Sequence, residues 1–278
     1  MIIVRFQGGI GNQMFQYALY RQLQEKGKTV KADLSTFQSA KEIRSFKLQE
    51  SFDIKLNVAS DWEIFKVAGG SNSFFKLVVR KLFKQKNLYT ENRIGSVENF
   101  YGIKTGYANG YWQSKKWFPD VADSIKKEFT FQITKPEFEK LCNRVSGEQS
   151  VSIHVRMGDY VQNADLYGGI CTKEYYQKAV EYIKQKVCAP VFYVISDEPD
   201  KAQAMLKDIV QAEYVQNEID YEDMQFMSSC RHNILANSSF SWWSTYLNKH
   251  EDKVVVAPSR WNNFEDCTNV YVKEWFLI

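Results

Sequence analysis

The spacing of hydrophobic and polar positions along this 278-residue chain changes several times. Residues 1–6 (MIIVRF) form a short apolar run that predicts a buried strand. Residues 7–13 (QGGIGNQ) read as a glycine-bearing loop, residues 14–26 as a helix stopped by Gly27, and residues 29–34 as a second strand. That is a βαβ opening. Residues 35–147 are less regular, with turns at Gly69-Gly70 and Asn109-Gly110 and an aromatic stretch over residues 107–118. From Ser150 onward the pattern alternates clearly. Strands are predicted over 151–155, 191–195, 214–215, 233–236 and 254–257, and helices over 173–187, 199–209, 221–229 and 240–248. Such alternation predicts a parallel, doubly wound sheet. Two βα sections around an irregular middle give the expected fold class: α/β, two Rossmann-like domains facing across a cleft. The domains are drawn at residues 1–147 and 148–278, with a hinge near residues 146–149.

Composition narrows the function classes. Hydrophobic residues make up 44% and charged residues 25%, values of a folded globular protein. The formal net charge of +3 is too small to argue for nucleic acid. The five cysteines are widely spaced and form no CxxC, which points to reduced thiols. MIIVRFQGG lacks the charged head and apolar core of a signal peptide, and no run reaches the ~18 apolar residues of a membrane span. A cytoplasmic location is expected. Residues 73–86 (SFFKLVVRKLFKQK) carry Lys76, Arg80 and Lys84 on one helical stripe. That pattern fits either a solvated face over a core stripe or a peripheral contact with the inner face of a membrane. Aromatic residues make up 15% of the chain, compatible with a carbohydrate ligand and equally with a ring-rich core.

The candidate chemistry gathers at strand ends. In VSIHVRMGDY (residues 151–160), His154 and Arg156 fall on one side of the strand, with Gly158 and Asp159 just beyond. The carboxyl edge of an open α/β sheet is where ligands bind. Arg156 can pair bidentately with phosphate oxygens, and Asp159 can hold the guanidinium in position, or the two can form a structural ion pair. Asp197, in ISDEP, closes the next strand with a carboxylate suited to ribose hydroxyls or a base edge. Ser238, Ser239 and Phe240 open a helix, where hydroxyls and free amides serve either as a cap or as a phosphate site. Asp223 is either a first-turn dipole partner or a ligand to guanine N–H groups. In the first loop, Gly9, Gly11 and Asn12 leave backbone amides open to an anion. Gly9-x-Gly11 with Asp33 is also half of a dinucleotide fingerprint, which makes an NAD-dependent oxidoreductase the rival reading. Met14 stands where that fingerprint needs its third glycine. A third reading is a non-catalytic carbohydrate-binding protein using the aromatic residues 107–118. No metal site is expected: the chain has no DxD, and its three histidines lack ligand spacing.

Taken together, GGIGNQMFQYA (residues 8–18), HVRMGDY (154–160), ISDEP (195–199) and NSSFSWWSTYL (237–247) resemble the bacterial α-1,2-fucosyltransferases of glycosyltransferase family 11. The resemblance implies a GT-B-like fold and GDP-β-L-fucose as donor substrate. It also implies inversion at the anomeric carbon, no metal or other cofactor, and a galactose-terminated oligosaccharide or glycolipid as acceptor. It makes residues 1–147 the acceptor side and 148–278 the GDP-fucose side. It assigns Arg156 to the β-phosphate, His154 and Asp223 to the neighbourhood of guanine, and Ser238, Ser239 and the Phe240 backbone to the diphosphate. Gly9, Gly11 and Asn12 would face the donor from the other domain. The family motif commonly carries a second arginine directly after the first; here that position is Met157. For the general base, Asp159 stands first and Asp165 second.

Overall fold

Ten strands form two parallel sheets in the computed structural model, which describes residues 1–38, 44–68, 87–91, 94, 100–132, 135–158, 163–217, 219–265 and 268–278. Asp159, the basic segment 73–86, the Gly69-Gly70 turn and Cys267 lie outside the described residues. Contacts divide the chain into two units, Met1–Thr130 and Phe131–Ile278.

In the first unit the opening run becomes β1 (Ile2–Arg5), and its apolar side chains are wholly buried. It leads into α1 (Ile10–Glu25), then β2 (Val30–Asp33). The helix ends where glycine predicts: Gly27 has φ +70°, and the Lys28 amide reaches back to the Leu23 carbonyl. It starts earlier than expected, at Ile10 rather than Met14, because the Gly9 carbonyl accepts from the Asn12 and Gln13 amides. Gly11 and Asn12 therefore belong to the helix's first turn. The short helices α2 (Leu48–Phe52) and α3 (Asp61–Ala68) precede β3 (Leu88–Thr90) and β4 (Gly106–Asn109), and α4 (Ala122–Glu128) closes the unit. All four strands are parallel, in the order β2-β1-β4-β3. The middle region is thus less irregular than its pattern predicts: β4, three buried residues and an asparagine, pairs directly with β1.

The second unit opens with α5 (Pro136–Gly147), which sequence periodicity left inside the irregular middle. Its apolar face (Phe138, Cys142, Val145) packs with Tyr193, Ile195, Phe226, Met227 and Cys230. That shared core carries the helix with the second unit, so the boundary falls at Thr130/Phe131 and not at residue 147. There follow β5 (Ser150–Val155), α6 (Ala164–Tyr167), α7 (Lys173–Lys186), β6 (Val191–Ser196), α8 (Pro199–Leu206) and β7 (Ala212–Tyr214). Then come α9 (Asp220–Ser229), β8 (His232–Ile234), α10 (Ser239–Leu247), β9 (Val255–Ala257) and β10 (Phe276–Leu277). The parallel order is β10-β9-β8-β5-β6-β7.

Side-chain alternation on these strands feeds two cores. Val151, Ile153 and Val155 with Phe192 and Val194 pack against α7 and α8, while Tyr193 and Ile195 turn to α5 and α9. The serine positions of β5 are buried too, and they are satisfied. Ser152 accepts from Asn233 Nδ2, which also donates to the Met227 carbonyl, and Asn248 donates to Asn233 Oδ1. No described helix is long and apolar enough to cross a membrane.

Candidate functional site

Strand register brings the main site together. In β5 and β6, Val155 pairs with Ser196, so the next residues, Arg156 and Asp197, leave the sheet side by side. The guanidinium Nη1 lies 3.1 Å from Asp197 Oδ2. The same carboxylate accepts from the Met157 amide at 3.0 Å and the Gly158 amide at 2.9 Å. A methyl group on Gly158 would come within 2.7 Å of Asp197 Oδ2, so glycine lets the loop approach its anchor. Asp197 therefore holds the Arg156 loop. Both partners remain about a quarter exposed, at 24% and 22%. A pair of this kind is screened and weak for stability, yet it fixes where a cation sits.

Strand β8 lies on the other side of β5. Beyond it, Ser238 caps α10: its hydroxyl accepts from the Phe240 amide at 3.3 Å. Ser239 is half-buried in the first turn. The Phe240 ring rests on His154, with centroids 5.5 Å apart. His154 is buried, and no described residue bonds its Nδ1. Burial first, and then the Arg156 charge, push its pKa down to about 3 against the opposing pull of Asp197, so the ring is neutral near pH 7. Two tyrosines of α7 tie the strand ends from beneath: Tyr176 donates to the His154 carbonyl and Tyr175 to the Leu235 carbonyl. Asp223, on α9, is half-buried and accepts from Asn217 Nδ2 at 2.8 Å. Asp165 is exposed on α6.

The carboxyl edge of the first unit's sheet is built differently. Gly8 adopts φ +76°. Gln13 and Gln16 are fully buried and act as backbone surrogates: Gln13 donates to the Gly8 and Ser45 carbonyls and accepts from the Lys47 amide. Gln16 pairs with both backbone polar groups of Gln7, accepting from its amide and donating to its carbonyl. Asn12 Oδ1 accepts from Gln113 Nε2 at 2.7 Å, and a methyl on Gly9 would come within 2.5 Å of the Arg44 guanidinium. These glutamines escaped the sequence reading, which attended to the glycines; two buried amides three apart on a helix were the available signal. Asp33 is wholly buried, accepting from Tyr107 Oη at 2.6 Å and from the Ser35 amide. With Met14 equally buried, the dinucleotide reading loses its ribose acid and its third glycine.

A strand-end arginine beside a capped helix start, on a parallel sheet, defines a site of the kind that receives phosphate groups. Comparison with known proteins agrees and is more specific. The model of glycosyl transferase family 11 matches residues 78–278, most of the chain, and this protein belongs to that family. It is a glycosyltransferase. It is similar to the alpha-1,2-colitosyltransferase of Escherichia coli, 27% identical over 98% of both chains. It is also similar to the O-antigen biosynthesis glycosyltransferase WbnK of Escherichia coli, 30% identical over 96% of this chain and 97% of the relative. A galactoside alpha-(1,2)-fucosyltransferase 1 of Bos taurus is 27% identical over 50% of this chain and 42% of its own length.

Proposed function

We propose that this protein transfers L-fucose from GDP-β-L-fucose to the 2-hydroxyl of a galactoside, with inversion and without a divalent cation. The observation that carries the reading is the Arg156–Asp197 pair beside the Ser238–Phe240 helix start in a family 11 chain. The α-1,2 linkage draws support from the names of the colitosyl and fucosyl relatives.

In the proposed single displacement, the acceptor oxygen bonds to fucose C1 as the bond from C1 to the pyrophosphate oxygen breaks. The electron pair leaves with GDP, and the hydroxyl proton passes to a base, for which Asp159 is the first candidate and Asp165 the second. Negative charge grows on the β-phosphate, where Arg156 and the turn of Ser238, Ser239 and Phe240 stabilise it. His154, neutral and with an open Nδ1, and Asp223 take the guanine side, as the family resemblance implies.

Colitose is fucose without its 3-hydroxyl, and the colitosyl relative spans nearly the whole chain, so GDP-colitose is the second donor reading. Parallel incubations with the two donors and a panel of β-galactosides, followed by NMR linkage analysis, test the proposal. An α-1,2-fucosylated galactoside is expected from GDP-fucose. Transfer from GDP-colitose alone, or to a hydroxyl other than the 2-OH, would overturn it.

A further inference from the structure

The aromatic stretch 107–118 contains five rings, and the structure separates them sharply. Tyr107, Trp112, Trp117 and Phe118 are buried, at 7% exposure or less, whereas Tyr111 is 46% exposed. Four rings are core. The fifth stands outward, next to a residue in a strained conformation.

Trp112 adopts φ +57°, a left-handed conformation unfavourable for a bulky aromatic residue. Three contacts enforce it. The Trp112 amide donates to Glu91 Oε2, and the other oxygen of that carboxylate accepts from Trp117 Nε1. The buried Trp112 ring packs on Phe100 and Trp117, with centroids 5.0 and 4.9 Å away. On the N-terminal side, a methyl on Gly110 would come within 2.7 Å of Glu91 Cβ. A strained residue persists only where its surroundings over-determine it, and such strain gathers where ligands bind. Directly before this residue, Tyr111 stands exposed.

The neighbours of Tyr111 are those of a sugar subsite. Its ring edge lies 3.4 Å from where a Gly8 methyl would stand, so it covers the glycine at the end of β1. The amides of Gln113 and Asn12, bonded to one another, are both half-buried there. An exposed ring bordered by amides suits a neutral pyranose, whose C–H face stacks on the ring while hydroxyls meet the amides. It suits a pyrophosphate poorly.

Resting on the glycosyl-transfer reading above, we infer that Tyr111 is the stacking platform for the acceptor's galactose ring. Saturation-transfer NMR of methyl β-galactoside and lactose with the full chain tests this without turnover. The wild type should saturate the H3, H4 and H5 face; Tyr111→Ala should lose that signal and Tyr111→Phe should keep it. In fucose transfer, Tyr111→Ala should raise the acceptor KM about tenfold, the size expected when an aromatic anchor is truncated, and leave the donor KM and thermal unfolding unchanged. No saturation in the wild type, equal saturation in Tyr111→Ala, or a shift in donor KM instead of acceptor KM would overturn the inference. A Tyr111-dependent NMR contact without fucose transfer would instead count against the donor assignment.

Discussion

The two parallel sheets end in carboxyl edges fixed by opposite means. In the first unit, buried neutral amides do much of the work: Gln13 and Gln16 close the Gly8 turn from within, and the carboxylates Asp33 and Glu91 are spent on neutral partners, Asp33 on Tyr107 and Ser35 and Glu91 on Trp112 and Trp117. In the second, a charged pair does it at the surface, with Asp197 holding both the Arg156 guanidinium and the amides after it. Amides satisfied inside the fold make a rigid shelf and add no charge of their own. A partly exposed ion pair contributes little to stability but keeps a cation where an anion can reach it. The first edge is built for shape and the second for charge.

The largest effect on this contrast should come from Arg156. Arg156→Ala is expected to lower kcat/KM for fucose transfer by ~10²–10³, the usual loss when a donor to developing charge is removed. Arg156→Lys should recover little, since an ammonium lacks the planar fork. Near-normal turnover in Arg156→Ala would break the assignment. Next stands Asp197→Asn, which keeps the shape but weakens three contacts of the loop. A loss of roughly 10² in kcat/KM with unchanged thermal unfolding is expected from a displaced guanidinium. If activity survives, Asp197 is not what positions Arg156.

The first unit should respond in stability rather than in donor binding. Gln13→Ala leaves two carbonyls and an amide unpaired and should cost ~1–3 kcal/mol in denaturant unfolding, with GDP affinity unaltered. A change in GDP affinity without a loss of stability would reverse the contrast. The last effect appears only at acid pH. Below about 6.5 the unfolded chain protonates His154, while the folded chain refuses the proton until about pH 3. Stability is therefore full above pH 6.5 and declines as pH falls toward 3. His154→Gln should flatten part of that slope; parallel curves for variant and wild type would show that His154 does not contribute.

Much of the second unit was legible because strand and helix patterns alternate there, with side-chain caps at Thr172 and Ser238 marking two helix starts. Strand β5 is found at residues 150–155 against an expected 151–155, and α7 begins at the predicted Lys173. The first unit was harder to read. Its β4 is only four residues long and ends at Asn109, with Gly110 next, so local pattern gave a turn, and only pairing with β1 makes it a strand. At the site, the residue types were readable but their partners were not. Arg156 stood out by sequence, whereas the contact with Asp197 depends on β5 and β6 lying adjacent and in register, which no local pattern encodes. Likewise, the aromatic density of residues 107–118 was plain, but which ring faces outward is set by tertiary packing, which buries four of the five and leaves Tyr111 exposed.

Calorimetric titration of GDP and guanosine into wild type and Arg156→Ala isolates the phosphate contact. Wild type should bind GDP well above guanosine, and the variant should bind the two nearly alike. A preference for GDP that survives the loss of the guanidinium would contradict the account.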